Sequence, residues 1–442
     1  MNELNHETLT THPKYEFWRY RIFFITWLAY AGFYFTRKAF SVASIGLMKD
    51  PNILMDKMDI GAINQAYLIA YACGQFIFGI SGDKLGTRKV ILAGLLVSTL
   101  AGFFMGLSCT VLAFGVLFCI QGLCQSTGWA PLAKNISYFF SQRERGVTMG
   151  WWCTNYAVGG MLASPFAGYL ADYFTNWRYA FFSTSLVVFG VWLMFVLWQK
   201  NKPEQAGLPS IEEYHGEKEA ILDTHDQPEE EPEGSWKTIF AVLKNRMILL
   251  LGFVYFCLKP TRYAVLFYAP LYVNEKLGTG MGESGLISVA FEAAGPLGVI
   301  FGGYMSDKVF KSKRMPISII CLFALAIVLF SFEHLALLRN TWIIAGLLSA
   351  VGFLLYVPDS LISGTAAVDF GTKKGASTAS GFINGCGSIG AIFGGGQAAA
   401  WVVDTWGWNT LFIILGILVC VAGLVLIPKW NAVPATASNN KP

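Results

Sequence analysis

Apolar segments of about twenty residues, the length a helix needs to cross a bilayer core of about 30 Å, recur along nearly the whole chain. Twelve are placed, at 18–40, 61–82, 90–108, 111–140, 146–171, 179–198, 247–275, 284–306, 316–335, 341–369, 374–400 and 408–428. Lipid offers no partner to a free amide, so each segment must satisfy its own backbone, and a helix does that. Charged residues make up 14% of the chain, about half the share usual in a soluble domain, and hydrophobic residues 54%. The 46 glycines and 14 tryptophans suit close helix packing and interfacial anchoring. A soluble enzyme, a disordered chain and a nucleic-acid binder are poor readings of such a composition. The first apolar run is too long for a signal peptide and lacks a small-residue cleavage site, so it is expected to stay as a span.

Sidedness follows from Lys and Arg. With the N-terminus inside, 22 of the 32 fall in cytoplasmic segments and five (Lys49, Lys57, Arg178, Lys276 and Arg339) in outer loops, which places both termini in the cytoplasm. One long polar stretch, 199–245, holds 11 of the 28 acids, including Glu229, Glu230 and Glu231 before Pro232. It reads as a cytoplasmic linker, partly disordered, between an N-terminal six-helix bundle (1–198) and a C-terminal one with a short tail (246–442).

The halves echo one another. Gly79-Ile-Ser-Gly-Asp83-Lys-Leu-Gly-Thr-Arg88-Lys89 returns as Gly303-Tyr-Met-Ser-Asp307-Lys-Val-Phe-Lys311, with Asp83 and Asp307 separated by 224 residues. Arg37 in the first span and Arg262 in the seventh are 225 residues apart, an independent landmark with nearly the same period. The fold class read from this is an all-α membrane protein of twelve helices in two pseudo-symmetric bundles. Gly79 allows close helix approach, Asp83 at a helix end can pair with Arg88 or a helix terminus, and the cations hold the loop in the cytoplasm. The GxxxD(K/R)xGxR(K/R) pattern resembles the loop signature of the major facilitator superfamily. That resemblance implies a cytoplasmic gate formed by Gly79, Asp83, Arg88 and Asp307.

An ionised side chain at mid-bilayer costs on the order of 2.5 to 3.5 kcal/mol even on insertion scales, so each is a functional candidate. The candidates are Arg37, Lys38, Lys259, Arg262, Glu292 and Asp359. Tyr30, Tyr34 and Arg37 share one helix face. Pro260 between Lys259 and Arg262 disturbs the local backbone ladder. Two repeat-related arginines suit a divalent oxyanion, because a guanidinium forks two donors onto phosphate oxygens and stays charged at any relevant pH. Blander readings stay open: Lys38 snorkelling to an interface, Arg262 merely neutralising Glu292. The five histidines lie in tails, loops or helix ends, which argues against a histidine proton relay, and the nine cysteines show no CxxC or metal-ligand spacing. No cofactor and no metal is expected.

A narrower resemblance rests on Tyr34-Phe-Thr-Arg37-Lys38-Ala-Phe40, Gly128-Trp129-Ala-Pro131, Ser141-Gln-Arg-Glu-Arg145-Gly146, Gly207-Leu-Pro-Ser-Ile-Glu-Glu-Tyr214 and Tyr356-Val-Pro358. In these the chain is similar to the organophosphate:phosphate antiporter family, from about residue 18 to 428. The resemblance implies an inner-membrane, monomeric antiporter that exchanges a glycerol or sugar phosphate for inorganic phosphate by alternating access. Arg37 and Arg262 match the pair holding phosphate in that family, and Tyr30, Tyr34, Tyr71 and Tyr356 match cavity positions. Glu292 matches an acid of the eighth helix and, with Asp359, is the candidate for coupling and charge balance. The sequence departs from the family in reading Gly74-Gln75-Phe76 where a lysine is usual, Tyr156 where a histidine is, Ser388 where a tyrosine is, and Lys259 where a tyrosine is. A cation lost at Gln75 and one gained at Lys259 keep the cavity charge while moving it. A hexose-phosphate sensor of the same fold and a proton-coupled organic-anion symporter are the alternatives.

Overall fold

The computed structural model describes residues 13–85, 87–140, 148, 151–209, 211–214, 244–311, 313–366, 370 and 376–432. Among them there is no strand. The first half comprises α1 (Pro13–Leu47), α2 (Lys57–Leu85), α3 (Thr87–Leu107), α4 (Val111–Gln125), α5 (Trp129–Phe139), α6 (Thr154–Tyr173) and α7 (Arg178–Trp198). The second comprises α8 (Arg246–Leu277), α9 (Met281–Tyr304), α10 (Met315–Ala336), α11 (Thr341–Ser360), α12 (Ala376–Gly395) and α13 (Gln397–Leu426).

Local chemistry sets the ends. The side chains of Thr110, Asn245 and Asn340 accept the first free amides of α4, α8 and α11, and Gly278 at φ 70° closes α8 in a left-handed turn. Two spans differ in detail from the apolar pattern. The segment 111–140 is interrupted at Ser126-Thr127-Gly128, giving α4 and α5. In α13 the helix breaks at Gly407 (φ 81°), so its first ten residues continue the span of α12 and the rest forms the twelfth. Seven described helical stretches are apolar and long enough to cross a bilayer on composition alone. α1, α2, α4 and α6 are not among them, because α1 carries charges, α2 and α6 are polar or rich in small residues, and α4 is short.

The repeat seen in sequence reappears in the packing. α1 lies on α6 as α8 lies on α12, α2 on α4 as α9 on α11, and α3 on α7 as α10 on α13. Between the halves, α6 packs on α9, α2 on α12 and α13, and α1 on α8. Glycines allow the tight approach: a Cβ added at Gly168 would lie 2.4 Å from the Met281 carbonyl, and one at Gly285 would lie 2.6 Å from that of Ser164.

The first residues after α7 fold back onto their own half. Tyr15 stacks on Tyr214 with ring centroids 4.0 Å apart, and Leu208 and Ile211 complete a small apolar cluster there. The rest of the central stretch, with Glu229, Glu230 and Glu231, lies outside the described residues, as does the Ser141 to Gly146 motif.

Candidate functional site

The stripe Tyr30, Tyr34 and Arg37 on α1 faces the interior, and all three are buried. Arg37, 3% exposed, donates from Nε to Gln125 Oε1 at 3.0 Å, and its guanidinium lies over the rings of Tyr34 (4.5 Å), Tyr71 (5.1 Å) and Tyr67 (5.6 Å). Those contacts are cation–π, and they leave the positive charge uncancelled. Arg37 Nη2 is buried and has no hydrogen-bond partner among the described residues. A buried donor of a charged group left unmade is costly, which marks a position built for an acceptor from elsewhere.

Behind Arg37 runs a polar network. Gln125 Oε1 also accepts from Tyr67 Oη (2.8 Å), and Gln125 Nε2 donates to Thr36 Oγ1 (3.0 Å) and Ser98 Oγ (3.2 Å). None of these partners was in the expected site. The sequence carries a signal for them in Gln121 and Gln125, two amides one turn apart in an otherwise apolar helix, a pattern that demands buried partners.

Lys38 turns the other way. Its Nζ stands 2.7 Å from Glu292 Oε1 on α9 and donates to the Leu266 carbonyl of α8 at 3.1 Å. That carbonyl is available because Pro270, four residues on, has no N–H to donate to it. Side chains of 2% and 3% exposure rule out the snorkelling reading of Lys38. Gly160 of α6 makes room for the carboxylate, since a Cβ there would lie 2.8 Å from Glu292 Oε1. The ion pair therefore joins the two halves at mid-depth.

In the second half Asp359 of α11 accepts from Arg262 Nη1 at 2.9 Å and pairs with Lys259 Nζ at 3.4 Å. Arg262 thus pairs with Asp359 and not with Glu292. Its guanidinium lies 4.8 Å from the ring centroid of Tyr356 and 5.8 Å from that of Tyr156, which belongs to the other half. Lys259 packs over Tyr255 at 4.7 Å and shares one carboxylate with Arg262, so the two cations together keep a net positive charge. Tyr34 and Tyr263 lie within electrostatic reach of both arginines. Tyr30 closes the first-half side in an aromatic cluster with Trp129 (5.5 Å) and Trp152 (5.7 Å).

Gln75, one turn beyond Tyr71, is exposed and makes no hydrogen bond or ion pair among the described residues. Arg88 donates to the carbonyls of Val196 and Gln199 at the end of α7, where a cation suits the helix dipole, while its amide donates to Asn201 Oδ1 at 2.8 Å. It braces α3 against α7 within one half. The side chains of Asp83 and Asp307 are not among those described.

Ser41 Oγ, one turn on from Lys38, donates to the Phe267 carbonyl of α8 at 2.5 Å, and further hydrogen bonds and ion pairs between the halves lie on the face opposite the termini. Lys57 pairs with Glu275 at 3.0 Å, Gln65 Oε1 accepts the Gln397 amide at 3.1 Å, and Asp172 accepts the first amides of α9, from Met281 at 3.1 Å and Gly282 at 2.7 Å. The halves meet on that face and at mid-depth.

The Major Facilitator Superfamily profile matches residues 22–395. A probable hexose phosphate transport protein of Chlamydia pneumoniae is 32% identical, covering 95% of this chain and 92% of its own. Membrane sensor protein UhpC of Escherichia coli is 31% identical over 95% and 94%. A bacterial homologue of the human lysosomal transporter Spinster, solved inward-facing and unoccupied, superposes with a TM-score of 0.70 at 12% identity, over 93% and 95%, a likeness of fold.

Proposed function

Because the chain belongs to the Major Facilitator Superfamily and, within it, to the organophosphate:phosphate antiporter family, a group of membrane transporters and not of enzymes, we propose that it exchanges a phosphorylated organic metabolite for inorganic phosphate. The observation that carries this reading is Arg37: a buried, uncompensated guanidinium with Nη2 unpartnered, while its repeat partner Arg262 lies over Tyr156 of Arg37's half and acts, like Arg37, on Tyr34. Phosphate offers oxygens to both guanidiniums at once. Lys259, Lys38, Tyr30, Tyr34, Tyr71, Tyr156 and Tyr356 line or support the site, and Gln75 lies on the route to it. Glu292 and Asp359 balance charge. The Chlamydia relative's name favours a sugar phosphate over glycerol phosphate as the organic partner.

In this reading the protein works as a monomer in the inner membrane with both termini in the cytoplasm, its two bundles rocking about mid-depth. The contacts on the face opposite the termini are then the outer closure, and the motif of Gly79, Asp83, Arg88 and Asp307 is the cytoplasmic gate. Proteoliposomes loaded with inorganic phosphate should take up labelled hexose phosphate or glycerol phosphate by counterflow. Absence of uptake for every phosphorylated metabolite in a panel would reject transport of this class. A second reading is favoured by the sensor relative: binding without turnover. Saturable ligand binding together with absent counterflow would establish it.

A further inference from the structure

We propose that Gln125 is a positioning residue that aims Arg37 without neutralising it, so that the two repeat-related arginines hold a phosphoryl group unequally, Arg37 carrying most of the charge. This deepens the exchange reading and rests on it. In each half the same helix supplies the acceptor for the arginine of the first helix: α4 for Arg37 of α1, α11 for Arg262 of α8. The acceptors differ in chemistry. Asp359 is a carboxylate at 2.9 Å that Arg262 shares with Lys259 and that offsets charge, whereas Gln125 offers an amide oxygen at 3.0 Å and offsets none.

The amide is also fixed in orientation. Its oxygen meets two donors, Arg37 Nε and Tyr67 Oη, while its nitrogen meets Thr36 Oγ1 and Ser98 Oγ. Turning it over would oppose an NH2 to a guanidinium, so the network holds the acceptor towards Arg37. Nε is thereby engaged and the guanidinium plane set, with Nη2 left buried and unpartnered. A glutamate at this position would fill nearly the same volume and give Arg37 a permanent counter-ion, in direct competition with a ligand.

The test is inorganic phosphate binding by calorimetry on the purified full-length protein, with thermal stability measured on the same samples, for wild type, Gln125→Glu and Gln125→Met. The glutamate variant should bind phosphate about tenfold more weakly or worse, yet melt no earlier than wild type, because the bond to Arg37 becomes charge-assisted. A merely structural residue would lose affinity and stability together. If Gln125→Glu does not fold, Gln125→Met decides: affinity about tenfold lower supports the role, and wild-type affinity overturns it. Phosphate binding by Gln125→Glu within threefold of wild type, or a fall in affinity matched by a fall in stability, also overturns it. Wild type that binds no phosphate overturns the exchange reading and this inference with it.

Discussion

Arg37 and Lys38 are neighbours in sequence, yet about 100° of helix rotation sends them to opposite halves. Arg37 is held by α4, Lys38 by α8 and α9. The sequence marks both as charges inside a span, but partner choice depends on which helices stand on either side of α1, and no spacing within α1 encodes that. Gln125 signals a need for buried partners, but the same limit hides which they are: Tyr67, Thr36 and Ser98 are ordinary residues until the packing of α1, α2, α3 and α4 assembles them around one guanidinium. Replacing Arg37 by Lys keeps the charge but loses the planar fork and the bond to Gln125, so phosphate affinity should fall about tenfold or more with the protein still inserted. Near-normal exchange in both Arg37→Lys and Arg262→Lys would sink the paired-arginine site. Glu292→Gln leaves Lys38 buried and unpaired, and breaking such a pair costs about 3 to 5 kcal/mol. Thermal unfolding should show that loss, and Lys38→Met in the same chain should recover much of it. A double variant no more stable than the single would show that the pair does not act as one unit.

Among the elements, α6 and α9 show how far an apolar pattern reaches. Both were legible as spans, as was the break between the last two, because Gly407 sits between two apolar runs. The interruption after α4 was not legible: Ser126-Thr127-Gly128 carries no proline, and a three-residue gap barely disturbs the apolar average. Nor does the sequence reveal that α6 meets α9 across the halves, where Gly168 and Gly285 bring backbones together and Asp172 caps the start of α9. Opening this face must uncover two amides of α9 that Asp172 now satisfies, and a capping side chain contributes about 0.5 to 2 kcal/mol. Asp172→Ala should therefore shift the population towards the form open on this face. A cysteine at Ser284, buried in the first turn of α9, reports it in a background stripped of reactive native thiols. Labelling by a membrane-impermeant thiol reagent should speed up roughly two- to thirtyfold. Unchanged labelling would show that the cap does not bias the equilibrium.

At the scale of the whole molecule the charges at the junction of the halves decide what kind of transport is possible. Four buried or nearly buried cations, Arg37, Lys38, Lys259 and Arg262, meet two carboxylates, Glu292 and Asp359. The excess resides mainly on Arg37 in one half and on the Lys259 and Arg262 pair around a single aspartate in the other. In the proposed exchange, rocking the bundles has to carry these charges past one another. At an effective dielectric of about 20, two unit charges roughly 8 Å apart repel by on the order of 2 kcal/mol, and an anion between them reverses the sign of that contribution. A difference of that size in the barrier amounts to a rate ratio of roughly thirtyfold between loaded and empty carrier, before direct phosphate–guanidinium bonds are counted. Exchange should follow: vesicles holding labelled phosphate should release it slowly into plain buffer and at least tenfold faster when phosphate or an organophosphate is outside. Neutralising the excess should loosen the requirement, so Arg37→Gln, if it reorients at all, should leave efflux that ignores external anion. Wild-type efflux that is equally fast with and without external phosphate, or that tracks an imposed pH gradient alone, would reject obligatory exchange and shift the reading to a proton-coupled carrier working through Glu292 or Asp359.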